Sequence, residues 1–284
     1  MEYKVISGDG HIDLKWLPHD LFVTNAPAKW KAQVPQVLDT KDGKRWYVEG
    51  VDILTRPMGG FGDMTPMQQG TSKHIDRLWE VGFYDEGPHP STPELRIKDQ
   101  GIDGVDAEVI YGILTISGCI EDPELVPLVY GIYNEWAADF RRTNPDRLVP
   151  LACIPNSDPQ IAAAELRRAA KLDLRGADFD VSNAVKPIWH RDWDPLWAAA
   201  DECNMPLSFH TTGFPLREPS DEQMRGEYRD QWVASLITLF QLVGAEFLTE
   251  IIFSGALERY PGFKFVLGEC GVSWIPYMLT RMDD

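Results

Sequence analysis

Asp9, His11 and Asp13 follow directly on the short apolar run Val5-Ile6-Ser7-Gly8. If the strand continues through Gly10, the side chains of Asp9 and His11 point to the same side, because successive residues of a strand alternate between its faces. A carboxylate oxygen and an imidazole nitrogen converging there supply half of a divalent metal site. The same stretch also reads as a strand followed by turn residues, with His11 incidental. Far downstream, His210 closes the run Pro206-Leu207-Ser208-Phe209, and Glu269 follows Phe263 to Gly268. Taken singly, His210 reads equally as a polar side chain bonded to a loop carbonyl. Glu269 reads equally as an acid that favours a helix starting near Val272. Together, Asp9, Asp13 and Glu269 with His11 and His210 are a crowd of acids that a bound cation would relieve, since neighbouring carboxylates raise one another's pKa. The joint pattern points to a metal site.

Such a site needs strands whose ends meet. Apolar runs suited to buried parallel strands are Tyr3 to Gly8, Ala107 to Tyr111, Leu148 to Ile154, Gly176 to Val181, Pro206 to His210 and Phe263 to Leu267. Helical stretches are Glu124 to Arg142, Gln160 to Leu172, Asp194 to Asn204, and Gln231 to Tyr260 as one or two helices. Thr92-Pro93, Asp122-Pro123, Asp158-Pro159 and Asp194-Pro195 each offer a capping side chain followed by a proline suited to a first turn. Strand and helix in alternation give an open doubly wound sheet or a (β/α) TIM barrel. No Gly-x-Gly-x-x-Gly follows a strand, which favours the barrel, with its site at the carboxyl ends of the strands. The expectation is an α/β fold in which residues 1–284 form a single catalytic barrel domain. Residues 14–90 are an inserted region, either a lid over the site or a cap packed on one barrel end. Within it, Gln36 to Leu38 and Arg45 to Val48 flank Asp42-Gly43 as a hairpin. Gly59-Gly60-Phe61-Gly62 with Met58, Met64 and Met67 reads as a loop.

With 284 residues and a formal net charge of -17, the chain lacks the positive footprint that nucleic acid or an anionic membrane requires. No uninterrupted apolar run approaches the roughly 18 residues of a membrane span. Cys119, Cys153, Cys203 and Cys270 form no Cys-x-x-Cys pair and fit unpaired thiols in a reducing, cytoplasmic setting. No lysine stands at a strand end to bridge two ions, which argues for one metal. His19, His74, His89 and His190 are not singled out by their surroundings. Trp189 and His190 are expected beneath the Asp194 helix start, Trp136 and Trp274 in the core, and Asp180 at the mouth.

Several stretches resemble the amidohydrolase-related family that includes aminocarboxymuconate-semialdehyde decarboxylase-like proteins. They are Asp9-Gly10-His11, Gly104-Val105-Asp106-Ala107-Glu108, Tyr133-Asn134-Glu135-Trp136, Arg147-Leu148-Val149-Pro150-Leu151-Ala152, Leu207-Ser208-Phe209-His210, and Ser254-Gly255-Ala256-Leu257-Glu258-Arg259-Tyr260-Pro261 running to Gly268-Glu269. The resemblance implies a distorted TIM barrel holding one divalent metal ion, zinc or manganese. It makes Asp9-Gly10-His11 the acidic variant of the first-strand ligand pair and His210 the fifth-strand ligand, with Asp13 in reserve. Glu269 stands where the family often has histidine, so a general acid or base role carries over by position. The family's last-strand aspartate has no counterpart motif, and the expectation is a chain that stops before the last strands or is completed by another chain. The resemblance further implies a homodimer acting on a small carboxylic substrate, most simply by non-oxidative decarboxylation. Hydrolysis of an amide or lactone is the alternative chemistry, and a non-catalytic binding protein or fragment the alternative class.

Overall fold

The first strand, β1 (Ile6–His11), begins later than expected and runs through Asp9, Gly10 and His11. The residues with chemistry therefore lie in the strand itself and not in a turn after it. The computed structural model describes residues 2–41, 43–53, 89–182, 184–210, 220, 222–223 and 225–284. These divide into two compact units, 1–155 with 165–178, and 156–164 with 179–284.

In the first unit the expected hairpin forms from β2 (Gln36–Thr40) and β3 (Gly43–Val48), antiparallel with Thr40 opposite Gly43, and β4 (Val51–Asp52) adds a third strand. Asp42, the Gly59 to Gly62 stretch expected as a loop with its methionines, and His74 lie outside the described residues. A short helix α1 (Leu21–Asn25) precedes the hairpin, so residues 14–53 carry their own secondary structure. After α2 (Pro93–Asp103), β5 (Ala107–Tyr111) pairs in parallel with β1 on one side and with β6 (Leu148–Pro150) on the other. The expected strand Leu148 to Ile154 is broken at Leu151 into β6 and β7 (Ala152–Ile154). Between β5 and β6 runs α3 (Leu125–Arg142), whose face of Leu125, Val129, Tyr130, Ile132, Tyr133 and Ala137 is buried at helical spacing. Its Asn134 is fully buried, donating Nδ2 to the Cys153 carbonyl at 3.0 Å and accepting the Cys153 N–H on Oδ1 at 2.8 Å. That side chain supplies the pairing the β7 backbone would otherwise lack. Then follow α4 (Pro159–Lys171), of which residues 165–171 belong to this unit, and β8 (Ala177–Phe179), the neighbour of β7, of which residues 177–178 do.

The second unit is held by aromatic packing. Phe209 on β9 (Leu207–His210) lies 4.2 Å, ring centre to ring centre, from Phe247, and Phe179 meets Trp193 edge-on at 5.1 Å. Trp197 on α5 (Asp194–Glu202) stacks on Phe263 at 4.9 Å. Burying each such ring contributes about 2–3 kcal/mol. Trp193, not Trp189, is the tryptophan beneath the α5 start; Trp189 is exposed, and Trp136 is half-buried between Tyr133 and Phe140. The expected long helical region resolves into α6 (Gly226–Leu239), α7 (Val243–Phe253) and α8 (Ala256–Arg259). Although no uninterrupted apolar run reaches the length of a membrane span, Tyr228–Phe253 is, among the described residues, a helical run long and apolar enough to cross a membrane by length and composition alone. Arg229, Asp230, Glu246 and Glu250, with interleaved Gln, Ser and Thr residues, interrupt its apolar sequence. The unit ends with β10 (Phe265–Gly268), parallel to β9 with Gly268 opposite His210, and α9 (Ile275–Asp283).

Of the four anticipated helix starts, Asp158 caps most fully, its Oδ1 accepting the N–H groups of Gln160 at 2.7 Å and Ile161 at 3.0 Å. Thr92 makes no side-chain cap, and Asp194 instead takes Arg259 Nη2 at 2.6 Å. Asp158→Ala should therefore lower stability by about 1 kcal/mol, read as a drop in the urea midpoint with an unchanged slope.

Candidate functional site

The first unit brings Asp9 and His11 together. Asp9 Oδ1 lies 3.1 Å from His11 Nε2, and both side chains are about two-fifths exposed, at 36% and 41%. Two ligands on one ion, with bonds of about 2.0–2.2 Å, stand about 3.0–3.5 Å apart. The separation thus suits a shared cation as well as a direct hydrogen bond. A register shift between Ser7 and Gly10 gives β1 one extra residue against β5, the kind of bulge that re-aims side chains beside functional sites. The His11 ring then stacks on Tyr111 at 5.5 Å. Asp13, half-buried just beyond the strand, has its carboxyl pushed up by burial, against the opposing charges of His11, Lys15 and Arg96. A nearby cation would offset that burial.

Behind this strand end sits an ion pair that the sequence reading passed over. Glu108 on β5 accepts Arg96 Nε on Oε2 at 2.8 Å and Arg96 Nη2 on Oε1 at 2.6 Å, with Gln100 Nε2 on Oε2 at 3.0 Å. Burial pushes the Glu108 carboxyl up, but the hydrogen bonds and charge of Arg96 and the amide of Gln100 outweigh it and hold the group below its usual 4.5. Arg96 and Gln100 lie four apart on the inward face of α2, which buries polar side chains and so shows no apolar stripe to read.

The second unit brings His210 and Glu269 together. His210 is 2% exposed at the end of β9, and its Nε2 lies 3.8 Å from Glu269 Oε2. That is an ion-pair distance, too long for a direct hydrogen bond. Glu269 follows directly on β10 with φ of 55°, the left-handed region that is strained for a residue with a side chain. Its neighbour Cys270 has its thiol pushed up to about 11 by burial and by the Glu269 charge.

Other candidates fall to the scaffold. Asp180 Oδ1 accepts the Ser182 N–H at 2.8 Å and its hydroxyl at 2.5 Å, closing a turn. His89 Nδ1 pairs with Asp99 at 2.7 Å, His19 packs edge-on to Trp46, and His190 accepts the Asp192 N–H at 3.2 Å. Thr211, Thr212 and Gly213 after His210 lie outside the described residues.

Parallel strands carry acid and imidazole at their carboxyl ends, and the likenesses that follow make this an α/β protein of the TIM-barrel type. A family model described as amidohydrolase matches residues 71–284. The chain belongs to the amidohydrolase family. It is 32% identical over 157 residues to the decarboxylase orsB of Emericella nidulans, covering 53% of this chain and 46% of that protein. The chain thus spans about half the length of the curated relatives it matches. Among solved structures it resembles an amidohydrolase from Mycobacterium avium subsp. paratuberculosis K-10, with a TM-score of 0.69 at 17% identity, over 100% of this chain and 76% of that one. It also resembles 5-carboxyvanillate decarboxylase from Novosphingobium aromaticivorans, with a TM-score of 0.64 at 18% identity, over 99% of this chain and 70% of that one. That structure holds manganese and 3-methoxy-4-hydroxy-5-nitrobenzoic acid.

A carboxyl depressed in the folded state contributes stability that is complete above its ordinary pKa and lost as pH falls through the folded value. The gap in urea midpoint between the wild type and Glu108→Gln should accordingly be widest near neutral pH and close as pH drops below 4.5. A gap constant from pH 7 to pH 3 would show that the Glu108 charge contributes nothing.

Proposed function

We propose that this chain is the catalytic part of a metal-dependent decarboxylase of small aromatic carboxylic acids. Asp9, His11 and His210 hold one divalent ion, manganese or zinc, with Asp13 as a further oxygen donor. The observation that carries the reading is the 3.1 Å approach of Asp9 Oδ1 to His11 Nε2 at a strand end. Its support is the family and the manganese-bound decarboxylase of like fold. When bound, the ion supplies Lewis-acid polarisation of the substrate's carboxylate or of a hydroxyl beside it.

The rest falls to the chain's own groups. Loss of carbon dioxide leaves an electron pair on the ring carbon that carried the carboxylate, and that carbon must gain a proton. Glu269, exposed at 43% beside the buried His210, is the group we assign to hold and deliver it. His210 keeps its orientation because β9 buries all four of its residues. The negative surface of the chain repels organic acids at long range, so recognition of an anionic substrate depends on local positive charge.

On this reading residues 1–284 act as one catalytic domain, and the protein is soluble, cytoplasmic and homodimeric. Apolar side chains exposed on strands that have one partner among the described residues, Ile6 on β1 and Val266 on β10, are surface for a second copy or further chain to cover.

Carbon dioxide release from a panel of hydroxylated benzoic acids tests the activity. Chelator treatment should abolish turnover and manganese should restore it. His210→Ala should lose at least tenfold in manganese affinity and nearly all turnover. Hydrolysis of an ester or amide panel with no carbon dioxide release would replace this reading with the hydrolase one, and turnover indifferent to chelation would end it.

A further inference from the structure

We propose that Arg96 and Glu108 form a positioning pair that fixes the ligand-bearing end of β1. The inference rests on the reading of Asp9 and His11 as metal ligands. It adds two residues, on α2 and β5, that touch neither ion nor substrate.

Arg96 is 7% exposed, and each nitrogen of its guanidinium donates. Nε and Nη2 form a two-pronged fork on the Glu108 carboxylate, at 2.8 and 2.6 Å. Nη1 is shared between the main-chain carbonyl of His11 at 3.0 Å and that of Pro90 at 2.8 Å. One side chain thus ties the last residue of β1 to β5, to α2 and to the carboxyl-terminal end of the inserted region. Glu108 completes the device from the other direction. A Cβ added at Gly10 would overlap Glu108 Oε1 and stand 2.8 Å from its Cγ, so the carboxylate lies against the bare backbone between Asp9 and His11. This accounts for glycine between the two ligands: the strand and the carboxylate approach closer than any side chain permits.

The remaining holds converge on the same residue. Past the bulge, Gly10 is opposite Ile110 and His11 opposite Tyr111, and the Ile12 N–H donates to the Tyr111 carbonyl at 2.9 Å. The ring of His11 is fixed by Tyr111 and its carbonyl by Arg96. With main chain and ring both held, Nε2 has little freedom relative to Asp9 Oδ1, and a metal site works only when its ligands stay within about 0.5 Å of place. Stability alone is a poor account of the pair. Desolvating two charges offsets most of their attraction, and an apolar pair of like volume commonly serves as well. What an apolar pair cannot supply is a donor aimed at the His11 carbonyl.

The test separates folding from positioning. Arg96→Lys keeps the charge without the fork, Gly10→Ala forces the strand off the carboxylate, and Arg96→Met/Glu108→Leu replaces the pair with apolar volume. Metal-stripped proteins are titrated with manganese, and stability is read in urea without metal. Each variant should bind manganese about tenfold to a hundredfold more weakly than the wild type, with cooperative unfolding retained. The double variant should unfold closer to the wild-type midpoint than Arg96→Lys does, so that affinity and stability part company. Any folded variant among these with wild-type manganese affinity overturns the proposal. If the double variant fails to fold, Arg96→Lys and Gly10→Ala decide the matter. If the wild type itself binds no manganese, the ligand reading fails. The pair is then judged on the His11 ring resonances of the metal-free proteins, which should move in Arg96→Lys and whose constancy would refute positioning.

Discussion

A carboxylate taken out of water must have its oxygens met by donors, and this requirement organises the first unit. Glu108 lies on the middle strand of a parallel trio, with its side chain 13% exposed. Its charge is tolerable because Arg96 and Gln100 reach it from one helix face. That obligation fixes where α2 sits against β5, and through the shared Nη1 it fixes the end of β1. The partly exposed pair of Asp9 and His11 is thus held in place by a buried ion pair that contacts the backbone beside it.

Much of the family resemblance proves to be scaffold of this kind. Asp106, ahead of Glu108, accepts the backbone N–H groups of Val5 at 2.9 Å and Lys4 at 2.6 Å, which hold its carboxyl below the usual range and start β1 in register. Arg147 donates to the carbonyls of Asp106 and Val105. Glu135 pairs with Arg168 at 2.9 Å, and Arg259 binds both Asp194 and the Ser254 carbonyl. Asp106, Arg147 and Arg259 thereby supply bonds that loop backbone cannot supply for itself.

The strands and helices were readable because their signals are local. Apolar runs marked β5, β9 and β10 to within a residue or two, and the proline-marked starts located α2 through α5. The end of β1 was less legible: Asp9, Gly10 and Asp13 read equally as turn residues, whereas Asp9 and Gly10 lie in the strand at a bulge, with Gly10 against a neighbouring carboxylate. The break at Leu151 was hidden inside one continuous apolar stretch. At the candidate site, Asp9 with His11 and His210 with Glu269 were legible as polar residues ending apolar runs. Arg96 was not, because its partner lies on another element and no periodicity links the two. Nor does sequence reveal backbone strain, and Glu269 gave no sign of its left-handed conformation.

That conformation sets two selective demands against each other. At φ of 55° a glycine would sit without steric penalty, whereas any residue with a Cβ gives up about 1 kcal/mol to be there. Substitutions chosen purely to harden the fold would therefore place glycine at position 269, as at Glu49 and Asp173, and there erase the acid. A thermostability screen blind to turnover would select against the carboxylate, and survivors carrying glycine there would have gained tolerance for heat in exchange for the proton-transfer role proposed for it.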